Sequence, residues 1–381
     1  MVRSLSKILH LLSRSKPSRP STTPSPLPLP IELILMIMGY LDSRDMSSAL
    51  QTCHAMRNIF EPCLYARIIF PSSYRRQNAE LFRTLHGRLD LAHNIVTFEG
   101  SLYPTPRKSR FRHWIQSERA FSKRIVISIH HMVNVRSLSL RDFRWVGTPA
   151  QTRICDAICS TGTFTSLTTL IIQDYDFYQY GRHPADKFQL CLILRHLPLL
   201  ERLELWTSFW EIEQRILPTD IPRLTHLIAR PREAKVIVPG RPITSLSIKY
   251  ILMVPGRDFM EALSMSTGPI HTLKVETMDL QHLLSFLRLL SVHVQDVQKL
   301  ILDGPRYEHL PMLTQEFPSF RSLRTVCVRI FDYLECTLHG VGVESWREEN
   351  RADLSADIGL KCPQFERLDY GLFRRCNCGT V

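Results

Sequence analysis

The 381-residue sequence has no uninterrupted apolar run of about eighteen residues or more, the length a membrane-spanning helix requires. Its two most hydrophobic windows, 29–41 and 283–294, are both shorter than that. The opening residues are not read as a secretory leader, and ten cysteines in a chain of this length do not make the dense framework of a small secreted domain. The reading is a soluble chain with reduced thiols, cytoplasmic or nuclear. No acidic residue precedes Glu32, while Arg3, Lys7, Arg14, Lys16 and Arg19 supply five of the formal +12 charges. The remaining excess is scattered, with short clusters at Arg107-Lys108-Arg110-Arg112 and Arg374-Arg375, which reads as solvated charge rather than a nucleic-acid footprint.

Catalytic signatures are absent as well. There is no Gly-x-x-x-x-Gly-Lys-Ser/Thr phosphate loop, no Gly-x-Ser-x-Gly elbow and no His-Glu-x-x-His zinc helix. His130-His131 lacks a nearby third ligand, Cys155 and Cys159 suit a buried helix face, and Cys362, Cys376 and Cys378 have no histidine to close a site. The expectation is a protein that is not an enzyme and that holds no cofactor or metal.

What the chain does contain begins after a leader. Met1–Lys16 can place Leu5, Ile8, Leu9 and Leu12 on one helical face, so both a mitochondrial presequence and a flexible tail remain open. Prolines 17, 20, 24, 26, 28 and 30 then make an extended linker. Residues 1–28 are read as a disordered basic, Pro/Ser-rich leader. From Ile31 the spacing of Leu33, Ile34, Ile37 and Leu41 predicts an apolar helix, with Leu35, Met36 and Met38 widening its greasy surface. Asp42 or Ser43 can cap a second helix whose buried side carries Met46, Ala49, Leu50 and Cys53.

Leu29-Pro30-Ile31-Glu32, Ile37, Tyr40-Leu41, Asp45-Met46 and Cys53 resemble, in that order, the motif of the F-box family. Met56 stands where the family has Trp, a flexible apolar replacement. The resemblance implies a three-helix F-box over 29–70 that docks a Skp-type adaptor and, through it, a cullin. Leu29, Pro30, Ile34, Ile37, Leu41, Met46, Leu50 and Met56 would lie at or just beneath that interface.

Beyond the helices, a unit apolar-x-x-Leu-x-apolar recurs nine times, at 135–140, 167–172, 200–205, 224–229, 243–248, 270–275, 297–302, 323–328 and 365–370. The step between central positions is 32, 33, 24, 19, 27, 27, 26 and 42 residues. Each unit alternates as a half-buried strand does, and helical spacing fills several of the intervals, as in Phe188–Leu197, Phe259–Leu263 and Leu283–Val294. The array resembles the leucine-rich-repeat family over about residues 90–375, although most units lack the family's Asn or Cys after the strand. Similar diverged arrays behind an F-box are frequent in fungal proteins. The expected fold class is α/β: the F-box, then at 71–381 a curved, divergent leucine-rich-repeat-like solenoid with parallel strands on one face and helices on the other.

Aromatic residues cluster just beyond three successive strands: Phe143 and Trp145; Tyr175, Phe177, Tyr178 and Tyr180; Trp206, Phe209 and Trp210. They are the candidate substrate-binding surface, because aromatics anchor protein interfaces at low side-chain entropy cost. The function this combination implies is the substrate-recognition subunit of an SCF-type ubiquitin ligase. The competing readings are a repeat scaffold capped by F-box-like helices and, from the net charge, a nucleic-acid binder.

Overall fold

The computed structural model describes residues 30–69, 75–101, 111–141, 164–173, 193–206, 216–249, 255–276, 279–305, 309–330 and 364–372, together with 153, 156–158, 162, 356 and 358–360. Three helices open it. Pro30, at φ −56° and ψ 144°, precedes the first helical residue, and its carbonyl accepts from the amides of Leu33 and Ile34 at 3.1 and 3.2 Å in α1 (Ile31–Met38). The Asp42 carboxylate caps α2 (Ser43–Leu50) by accepting from the Arg44 and Asp45 amides at 2.9 and 2.8 Å, satisfying donors that have no partner inside the helix. In α3 (His54–Ala66) the same role falls to Cys53, whose Sγ accepts from the Met56 amide at 3.5 Å.

These helices close on their own small core of Ile34, Met38, Ala49, Met56 and Phe60, with Leu41, Met46, Leu50, Ile59 and Cys63 packed around it. The residue that caps the C-terminus of α3, Arg67, is also the first residue of β1 (Arg67–Ile69), so helix passes into strand with no loop between them. Tyr65, at the end of α3, packs on the large core that follows.

Among the described residues, that core backs one open sheet of eleven strands. After β1 come β2 (Thr97–Ser101), β3 (Ser137–Arg141), β4 (Thr169–Gln173), β5 (Arg202–Trp206), β6 (His226–Ala229) and β7 (Ser245–Ile248). The last four are β8 (Thr272–Glu276), β9 (Lys299–Asp303), β10 (Thr325–Ile330) and β11 (Arg367–Leu372). Strand order in the sheet equals chain order, and every neighbouring pair is parallel. The nine apolar units all supply strands, and β1 and β2 are two more.

Register explains the unit. The second residue of every strand is apolar and buried, so Ile68, Phe98, Leu138, Leu170, Leu203 and Leu227 stand side by side, and the row continues through Leu246, Leu273, Leu300 and Val326 to Leu368. Burying one such leucine contributes about 1.5–3 kcal/mol. Just ahead of the strands, one carbonyl accepts two amides from the next strand's entry, as Arg136 O does from Thr168 N and Thr169 N at 2.9 Å each. Because side chains alternate along a strand, the first, third and fifth residues face away from this core.

Helices cover the core side. α4 (Arg75–Gly87), α5 (Leu89–His93) and α6 (Phe111–His131) lie among the first three strands, and α7 (Pro231–Ile237) fills the short step between β6 and β7. α8 (Arg257–Ser264) buries Phe259, Met260, Ala262 and Leu263. α9 (Leu280–His293) buries Leu283, Leu284, Phe286, Leu287 and Leu290, and the rings of Phe259 and Phe286 meet at 6.2 Å. α10 (Leu310–Thr314) follows β9. Around α7, where the interval is shortest, the buried Arg241 guanidinium donates to the carbonyls of Ile237, Pro239, Ile216 and Leu217. Burial pulls its pKa below the ordinary arginine range.

Candidate functional site

Two surfaces stand out. The first is the outer side of the N-terminal helices. α1 is apolar nearly all round, so it cannot bury everything against α2 and α3. Ile34 is 2% exposed and Met38 lies beside it in the small core, whereas Leu33, Leu35 and Met36 are 41%, 48% and 59% exposed. Tyr40, in the turn that follows, is 84% exposed. Four large apolar side chains in eight positions therefore face solvent on one short module, a concentration characteristic of an interaction site.

The eight residues assigned to this surface from sequence occupy several positions. Pro30 is exposed, and Ile37, Leu41, Met46 and Leu50 are half-buried. Ile34 and Met56 are in the small core, Met56 at 8% exposure. Leu29 lies outside the described residues. The exposed quartet of Leu33, Leu35, Met36 and Tyr40 was not in that assignment, although the all-round apolar pattern of α1 carried the signal: a helix greasy on every side has more apolar surface than one small core can take.

The module is tied to the sheet from two directions. Besides the α3–β1 continuity, Arg88, just ahead of α5, donates to Glu61 of α3 at 3.0 Å and to Asp90 at 2.7 Å. Those hydrogen bonds raise the guanidinium's pKa, and Arg88 in turn holds the Asp90 carboxyl below its usual range.

The second surface is the sheet face turned away from the core. Its third- and fifth-position residues, toward the strand ends, form a charged line that the first-position Arg202 joins. Arg202 Nε donates to Glu204 at 2.7 Å, and Glu204 accepts from Trp206 Nε1 at 3.1 Å. The Lys249 ammonium lies 4.1 Å from the centre of the Trp206 ring and donates to Glu276 at 2.6 Å. Lys274 pairs with Asp303 at 2.5 Å, and Arg329 approaches the other carboxylate oxygen at 3.9 Å. Burial lowers the Lys249 pKa while Glu276 opposes the shift. In the pairs of Arg202 with Glu204 and of Lys274 and Arg329 with Asp303, the cation is the more exposed member, with side-chain exposures of 48%, 20% and 37% over carboxylates at 7% and 1%.

Of the nine aromatics assigned from sequence to substrate binding, Trp206 is half-buried in this line. Phe143, Trp145, Tyr175, Phe177, Tyr178, Tyr180, Phe209 and Trp210 lie outside the described residues, as do Cys155, Cys159, Cys362, Cys376 and Cys378. His131 lies against His93 with ring centres 5.3 Å apart and planes tilted by 53°, and His130 is exposed. Among the described residues no group of three or more His, Cys, Asp or Glu side chains is arranged to hold a metal ion, and no helix is long and apolar enough to cross a membrane.

With this geometry in place, comparison with known families shows a match to the family described as F-box-like, over residues 27–71. The match spans α1, α2, α3 and β1. The chain therefore carries an F-box-like domain, a type of domain that generally binds Skp1-type adaptors. None of the curated proteins matches the chain.

Proposed function

We propose that the protein is a substrate-recognition subunit of an SCF-type ubiquitin ligase, with the F-box-like helices docked on a Skp-type adaptor and the sheet holding a protein target. The observation that carries this reading is the exposure of Leu33, Leu35, Met36 and Tyr40 on a module whose folding core is already complete without them. In this role the chain needs no reactive group. A conjugating enzyme elsewhere in the assembly carries the thioester, and the receptor contributes proximity, which raises the effective concentration of a target lysine. The chain-ordered parallel sheet, with helices on one side, supports the reading of its body as a divergent leucine-rich-repeat solenoid, of a kind also found behind F-boxes in fungal proteins. The uninterrupted passage from α3 to β1 suits this role, because it fixes the orientation of target face to adaptor.

That same passage favours a second reading, in which the helices serve only to cap the sheet at β1. Affinity capture of the tagged full chain, with mass spectrometry of what it retains, separates the two. Recovery of a Skp-type adaptor and a cullin supports the ligase role. Their absence from a well-folded preparation leaves the cap.

A further inference from the structure

The first residues of the eleven strands form one transverse row, because the register pairs each with the next from Arg67 through Arg367. Five of them are Arg67, Arg202, His226, Lys299 and Arg367, and the other six are serine or threonine. Every member can donate a hydrogen bond, and none is acidic or apolar. None is buried, and the five basic ones are exposed. At about 4.8 Å between strands the row runs roughly 48 Å. The fifth-position residues of the same face differ: Lys249, at the equivalent place just after β7, and Glu276 and Asp303 are buried, Lys249 and Glu276 paired with each other and Asp303 with Lys274 of the third-residue row.

We infer that this row is the docking track for an extended, carboxylate-rich segment of a protein target. The inference rests on the reading of the sheet as the target-binding part. Charge complementarity selects the occupant. The row carries four fixed positive charges, two of them held in place by carboxylates two residues further along the same strand, Arg202 by Glu204 and Arg367 by Asp369 at 2.6 Å. Guanidiniums anchored on one edge keep other N–H groups for a ligand and lose less freedom when they bind it. Four charges over roughly 48 Å match an extended peptide of about fifteen residues bearing a few spaced carboxylates. They do not match a nucleic-acid duplex, which brings one charge per roughly 1.7 Å. Half-buried Ile171, Ile228 and Ile301 in the third-residue row offer apolar footing beside the track.

The test is fluorescence polarisation with the full-length chain and a labelled extended peptide in which Asp and Glu alternate with Leu. The unmodified acidic peptide should bind, with affinity falling as salt screens the contacts, and its Asn/Gln counterpart should not. Lys299→Glu reverses an exposed charge on β9, the third strand from the end of the track, and should weaken binding about three- to tenfold with an unchanged melting temperature, while Lys299→Arg keeps it. Arg257→Glu, on α8 at the opposite side of the sheet, should have no effect. Equal binding of the acidic and amide peptides, indifference to Lys299→Glu, binding only of a phosphorylated peptide, or tighter binding of a single-stranded oligonucleotide would each overturn the inference. Its failure is separable from that of the ligase reading. Adaptor capture without peptide binding removes the track alone, and peptide binding without adaptor capture removes the ligase role alone.

Discussion

The ammonium of Lys249 sits 4.1 Å from the centre of the Trp206 ring and 2.6 Å from Glu276, so one cation joins β5, the end of β7 and β8 on the sheet's outer face. Both the lysine and its carboxylate are nearly excluded from solvent, at 5% and 9% side-chain exposure. A buried pair of this kind is worth little against a well-packed apolar pair, yet losing one member strands a charge. Lys249→Met should therefore destabilise the fold by about 3–5 kcal/mol, and Lys249→Met with Glu276→Leu should recover most of that loss. Chemical denaturation of the two single variants and the double variant measures the coupling.

Gly240 has φ +74°, and a Cβ placed there would lie 2.6 and 2.9 Å from Cγ and Cβ of Pro218. Next to it, Arg241 clamps the same two segments through four carbonyls. Gly240→Ala combines an unfavourable backbone region with overpacking against a rigid ring, and should cost about 2–4 kcal/mol in a denaturant titration.

Glu233 on α7 is 3% exposed, and its Oε2 makes no hydrogen bond among the described residues. Burial raises its pKa, outweighing Arg230 and Arg232. The folded state thus holds this proton more tightly than the unfolded chain. The stability it contributes is complete below the unfolded carboxyl's range and is lost as pH rises through the raised folded pKa. Glu233→Gln should remove that component, flattening the fall in melting temperature on the alkaline side of the window and raising stability at neutral pH. Thermal unfolding across a pH series checks it.

Nine of the strands were legible because each presents two leucine-like residues two apart, and a half-buried strand demands that alternation. β2 escaped because Gly100 stands where the second apolar residue of the unit belongs, although Ile95 and Phe98 are fully in place. β1 escaped because three residues following directly on a thirteen-residue helix carry no pattern of their own. The structure places a cap at Asp42 and helices at Arg257–Ser264 and Leu280–His293, and a cap at Asp42 or Ser43 and the helical spacing of Phe259–Leu263 and Leu283–Val294 followed from local chemistry alone. The division of α1 into inside and outside did not: Ile34 and Leu35 are equally apolar, and only the position of α2 and α3 decides which is covered. The transverse row was likewise invisible until two unread strands completed it and the register aligned the residue before each central leucine.

On the proposed function, the exposed edge of the F-box-like helices binds an adaptor and contributes nothing to folding. Calorimetric titration of a purified Skp-type adaptor into the full-length chain, wild type against Met36→Asp with Tyr40→Asp, tests it most directly, with melting temperatures recorded for both. Wild type should bind saturably, and the variant should lose at least about a hundredfold in affinity, the scale of losing interface anchors, at an unchanged melting temperature. Equal affinity of the two proteins, or no binding by folded wild type, would contradict it.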